Sequence, residues 1–122
     1  MRGEAELKRR INNACDELQQ ELDMAWWTIR NRFSTKTEGD RITAATTTDF
    51  EYRQATIMWN LPMAVLLTDD ELEATIIHEY VHILMACLWN SLPDDVGEHI
   101  ERMNELAVEN ITRTIQAARL YS

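Results

Sequence analysis

With 122 residues, 45% of them hydrophobic and 27% charged, the chain has the size of one domain (1–122) with its own core, too short for two domains with a large cleft between them. A formal net charge of −9, with no basic stripe to reverse it locally, repels a phosphate backbone, so nucleic acid is not an expected partner. Only 3 Gly and 2 Pro argue against a linker-rich chain. Cys15 and Cys87 have no Cys or His neighbour at zinc-finger spacing and read as free thiols in a reducing compartment. The first residues lack the apolar core of an export signal, and the weakly charged stretch from Ala74 to Pro93 is interrupted by His78, Glu79 and His82. The expected location is therefore the cytoplasm, with no membrane partner.

From Glu4 to Asp23, Leu7, Ile11, Ala14, Leu18 and Leu22 recur at three- and four-residue spacing and predict an amphipathic helix packed on one side. Trp26–Phe33, Ile42–Thr48 and Tyr52–Leu61 are rich in Thr, Ile and aromatic residues and alternate as strands do, predicting a small, mostly antiparallel sheet. The first of these runs could instead continue the N-terminal helix. Thr68-Asp69-Asp70-Glu71 matches a capping box and opens a helix to about Trp89. Asn90 to Asp95 breaks it, and a last helix runs from about Asp95 to Leu120. The order helix, three strands, helix, helix predicts an α+β domain.

His78-Glu79-Tyr80-Val81-His82 lies within the capped helix. Two His four apart stand one turn apart on one face and can offer two imidazoles to one ion. Glu79, about 100° round from His78, can reach a water on that ion and act as general base. Ile76, Ile77, Tyr80, Val81, Ile83, Leu84, Cys87 and Leu88 cover nearly every other direction, so the helix is predicted to be buried. Two imidazoles and a carboxylate buried there need partners, and a metal with its water supplies them.

Thr75-Ile76-Ile77-His78-Glu79-Tyr80-Val81-His82-Ile83-Leu84 fits throughout the longer signature that the chain shares with the zincin metallopeptidases. The element order also resembles the minimal zincin-like domains of short, often phage-encoded, predicted metallopeptidases. The resemblance implies a Zn2+ cofactor, a peptide or protein substrate, Glu79 as the catalytic base, and a third metal ligand beyond His78 and His82. The metzincin branch does not fit, because Met85 stands where it needs Gly and no His follows until His99. The gluzincin branch takes its third ligand from a Glu on the following helix.

Glu98, Glu101, Glu105 and Glu109 form a stripe on the last helix, and most of such a stripe is a solvated face. Taking Ile100, Met103, Ala107, Val108, Ile111 and Ile115 as the buried side, Glu101 lies closest to it and Glu105 about 40° further out. Eighteen residues separate His82 from Glu101, a spacing similar to that of gluzincin aminopeptidases. Glu101 is thus the favoured third ligand, with Glu105 behind it orienting a His ring. Glu105 is also the rival ligand, since Asn104-Glu105-Leu106-Ala107 resembles the segment around the ligand glutamate in some of those families. His99 reads as a surface residue.

The resemblance further implies substrate held as an added strand on a sheet edge, for which Tyr52–Asn60 is the candidate, and an oxyanion donor among Tyr52, Tyr121 and His99. Trp26, Trp27, Trp59 and Trp89 read as packing residues, with Met85 and Trp89 walling the metal site. The competing reading is a catalytically inactive zincin-like scaffold that binds metal for stability and serves as a protein-interaction module.

Overall fold

The computed structural model describes residues 3–35, 42–90, 92, 93, 95 and 97–120, and the chain is α+β. Helix α1 (Glu4–Glu21) buries Leu7, Ile11, Cys15 and Leu18, a single stripe that docks on the rest of the core. At its end Asp23 takes a left-handed conformation (φ 55°), which Asp tolerates better than most side chains. The Gln19 amide then donates to the Met24 and Trp27 carbonyls at 3.0 and 2.9 Å, fixing the reversal into the sheet.

Strands β1 (Thr28–Ser34), β2 (Ala44–Asp49) and β3 (Gln54–Asn60) form one sheet in the order β1-β3-β2. Strand β3 runs parallel to β1 and antiparallel to β2, so the sheet is mixed and not mostly antiparallel as the sequence suggested. Alternation reports which face a residue takes; it is silent on which strand lies alongside. The stretch predicted as the free edge, Tyr52–Asn60, contains the central strand. Ala55, Ile57 and Trp59 of β3 are all buried and form its core-facing side, while β1 and β2 pair with it on either flank and Thr-rich β2 forms an edge. Asn31 of β1 ties α1 to the sheet: its carbonyl accepts from Trp59 Nε1 at 3.0 Å and its amide donates to Asn12 at 3.0 Å. Of the polar stretch 34–40 that separates the first two strand runs in the sequence, residues 36–40 lie outside the described residues.

A single-turn helix α2 (Leu61–Ala64) follows, and α3 (Asp69–Leu84) opens on the capping box. Thr68 Oγ1 accepts from the Glu71 N–H at 3.2 Å, and the Glu71 carboxylate accepts from the Thr68 N–H at 2.9 Å, holding that carboxyl below its usual range. The helix predicted to reach Trp89 breaks at Met85 and resumes as α4 (Ala86–Asn90). Leu72, Ile76, Ile77, Tyr80, Val81 and Ile83 are buried, but Leu84 and Leu88 are exposed, so the helix is not enclosed on all sides at its C-terminal end. No described helix is long and apolar enough to cross a membrane.

Helix α5 (Gly97–Leu120) returns antiparallel to α3: Gln116 Nε2 donates to the Asp70 carbonyl at 3.2 Å near the start of α3, while Glu105 meets His82 near its end. The buried residues of α5 are Val108 and Thr112. Ile100, Met103 and Ile111, expected on the buried side, stay largely exposed. The first half of α5 therefore overhangs the site, and its inward register is set by the middle of the helix.

Candidate metal centre

Helix α3 presents His78 and His82 side by side, their rings 4.9 Å apart edge to face, each about one-quarter exposed. From α5 the Glu105 carboxylate spans both rings, with Oε2 at 3.7 Å from His78 Nε2 and Oε1 at 3.4 Å from His82 Nε2. One donor atom from each of these three residues lies within 4.8 Å of the others, and the group could hold a metal ion. The separations carry information. They exceed the roughly 2.7–2.9 Å of a charge-assisted hydrogen bond. Two donors each about 2.1 Å from one tetrahedral ion would stand about 3.4 Å apart, close to what Glu105 and the rings show. Two imidazoles and one carboxylate also match the donor set of a catalytic zinc site.

Glu109, one turn beyond Glu105, places Oε2 at 3.6 Å from His78 Nδ1. A carboxylate on that side favours the proton on Nδ1 and leaves Nε2 with its lone pair toward Glu105. Glu109 is itself held by Arg113, whose Nε donates to its Oε1 at 3.0 Å.

Glu79 reaches Thr46 of β2 and is only 5% exposed, while lining the same cavity as the three donors. Thr46 Oγ1 donates to its Oε2 at 2.6 Å, a short bond of the kind a charged acceptor makes. Thr46 belongs to the inward set Ala44, Thr46 and Thr48, which alternates with exposed Ala45 and Thr47 along the edge strand. Sequence reasoning missed it; the inward positions of the strand beside the helix were the signal available.

A cavity of about 560 Å³ opens between β2, α3 and α5, lined by His78, Glu79, His82, Glu105 and, on its wall, Met85 and Trp89 as expected. A second, of about 300 Å³, continues past His78 and Glu79 to Thr75 and Thr112. The cleft thus extends to both sides of the metal group.

The favoured third ligand, Glu101, lines the larger cavity but is not a member of the three-residue group; Glu105, its rival, is. Glu105 thus stands against both His rings, where Glu101 was expected, and Glu109 faces the His78 ring, where Glu105 was expected. His99 is exposed on the first turn of α5, and neither it nor exposed Tyr52 lines either cavity. Tyr121 and the side chain of Cys87 lie outside the described residues. Of the tryptophans, Trp59 and Trp27 are core, Trp26 is exposed and Trp89 faces the cleft.

Cys15 is a free, buried thiol of α1 facing Tyr80 of α3 and Asn31 of β1. Burial pushes it up to about 11, with the Asn31 and Tyr80 hydrogen bonds opposing, and burial likewise raises the Tyr80 hydroxyl. Both groups stay neutral at physiological pH and belong to the core. Compared with known proteins, the chain matches no family model, no curated protein and no solved structure.

Proposed function

We propose that this chain is a zinc-dependent metallopeptidase of the zincin type, with His78, His82 and Glu105 as metal ligands and Glu79 as general base. The observation that carries the reading is the division of labour in one cleft: three donors converge from α3 and α5, while a fourth, separate carboxylate is buried beside them and held by Thr46. Zinc bound by such a set acts as a Lewis acid and lowers the pKa of a coordinated water toward about 7.

The remaining chemistry belongs to the chain. Thr46 occupies Glu79 Oε2 and so fixes the carboxylate's orientation, leaving Oε1 to take a proton from water and later return it to the departing amine. Glu109, braced by Arg113, keeps the His78 ring in one orientation and tautomer. Among the described residues no strand pairs with the outer side of β2, so its edge offers backbone groups to an extended chain lying in the cleft, the mode of recognition by strand addition. The substrate class rests on the ten-residue resemblance from Thr75 to Leu84 and on a cleft that continues to both sides of the donors. A scaffold using metal only for stability would close the coordination sphere, and the 560 Å³ cavity beside the donors favours the enzyme over that reading.

The test is hydrolysis of blocked peptides by zinc-loaded wild type and Glu79→Gln. Loss of about 10²–10⁴-fold in kcat with zinc content unchanged is expected. Equal rates in the two proteins would remove Glu79 from the mechanism and the peptidase reading with it.

A further inference from the structure

We infer that the cleft selects a polypeptide segment carrying Lys or Arg next to the scissile bond, with Glu101 as the specificity-determining residue. The inference rests on the peptidase reading above and names its substrate class. It starts from the carboxylates of the larger cavity, Glu79, Glu101 and Glu105, which no Lys or Arg of its lining offsets. Among the described residues no ion pair engages Glu101, in contrast to Glu109 with Arg113. A doubly charged cation on His78, His82 and Glu105 would balance Glu105 and Glu79 alone. Glu101 is then the carboxylate for which the site itself supplies no counter-charge, and a substrate cation is the complementary partner.

The walls around Glu101 narrow the choice of cation. Met85, Ala86, Trp89 and Ile42 line the same cavity as Glu101, so the cavity offers both apolar wall and a carboxylate. A side chain with a long methylene stem and a terminal charge fits both parts, burying its stem while its head stays beside Glu101 in water. Trp89 adds an indole that can stack on such a head. An acidic side chain there meets repulsion, and a plain aliphatic one leaves Glu101 unanswered.

The experiment is calorimetric binding of N-acetylated, C-amidated hexapeptides to zinc-loaded Glu79→Gln, which should hold them without turnover. The peptides share one sequence and carry Lys, Leu or Glu at each of the central positions in turn. At one position Lys is expected to bind about tenfold or more tighter than Glu, the effect of one charge-assisted hydrogen bond. In Glu79→Gln/Glu101→Gln the difference should fall to within about twofold, with zinc content by mass spectrometry unchanged. Binding with no charge preference, or a preference that survives Glu101→Gln, overturns the assignment of Glu101 and leaves the peptidase reading standing. Loss of zinc from the Glu101→Gln protein overturns it too, by making Glu101 a ligand. Failure of every peptide to bind would overturn the peptidase reading itself.

Discussion

The bond from Thr46 to Glu79 can be measured in the metal-free protein, independently of turnover. Thr46→Val keeps the β-branched shape that suits a strand and removes only the hydroxyl. The bond is 2.6 Å long and its acceptor is 5% exposed, so the hydroxyl serves a carboxylate that water barely reaches. Hydrogen bonds to charged groups contribute about 1.5–3 kcal/mol, which sets the expected loss at about 2 kcal/mol. At about 2.1 cal/mol/K of unfolding entropy per residue, a chain of 122 residues loses about 8 °C in Tm for that change. The assay is urea denaturation of wild type, Thr46→Val, Glu79→Ala and the double variant. In the Glu79→Ala background the hydroxyl has lost its acceptor, so Thr46→Val should cost nearly nothing and the coupling energy should equal about 2 kcal/mol. A coupling below about 0.5 kcal/mol would show that the hydroxyl does not support the carboxylate. The zinc-loaded Thr46→Val protein should then also lose kcat while its zinc content stays constant, because a misdirected base costs rate and not metal.

Three further outcomes follow from the same geometry. Glu105→Ala and His82→Ala should lose zinc in chelator-free mass spectrometry while Glu101→Ala retains it; retention by Glu105→Ala alongside loss by Glu101→Ala would reverse the ligand assignment. Glu109→Gln should weaken zinc binding about 10–100-fold in a competitive chelator titration, since it removes the charge facing His78 Nδ1, and an unchanged affinity would reduce Glu109 to a surface residue. Cys15 sets an alkaline limit on stability. Its thiol rises to about 11 in the folded chain, so between about pH 9 and 11 the unfolded chain releases a proton that the folded chain keeps, and stability falls with pH by about 3 kcal/mol. Below pH 9 both states hold the proton and the contribution is complete. Tyr80, raised in the same direction, steepens the fall above pH 10. Denaturation at pH 8 and pH 10.5 checks this, with Cys15→Ala expected to flatten the slope; equal slopes in the two proteins would contradict it.

Much of the architecture was legible because it rests on local chemistry. The stripe of α1 and the capping box at Thr68 each involve residues three or four apart, and the structure keeps both. The three strands were legible for the same reason, since alternation is a nearest-neighbour property. Their arrangement was not. Whether β3 flanks β1, β2 or both depends on contacts across the sheet, and the order β1-β3-β2 moved the free edge from the stretch at Tyr52–Asn60 to β2. Thr46 was hidden by the same gap: a threonine on an edge strand is unremarked until the strand is known to lie beside Glu79.

That Glu105 and not Glu101 meets the His rings has a different origin: Ile100, Met103 and Ile111, which helped define the expected buried side of α5, are exposed, and the buried side is marked by Val108 and Thr112. Glu101 precedes buried Val108 by seven residues and Glu105 precedes buried Thr112 by seven, so both carboxylates lie within about 20° of a residue that faces the core. A helical wheel therefore admits either. What separates them is about 6 Å along the axis, at 1.5 Å per residue, and a metal tolerates only about 0.2 Å in a ligand distance. That coordinate is set by how far α5 slides along α3, which the pairing of Gln116 with Asp70 and of Glu109 with His78 fixes. In that register Glu101 lies one turn before Glu105, outside the three-residue group but on the lining of the same cavity. The acidic stripe thus divides by position along one helix: Glu105 meets both His rings, Glu109 meets Nδ1 of His78, and Glu101 lines the open cavity, the division on which the proposed roles rest.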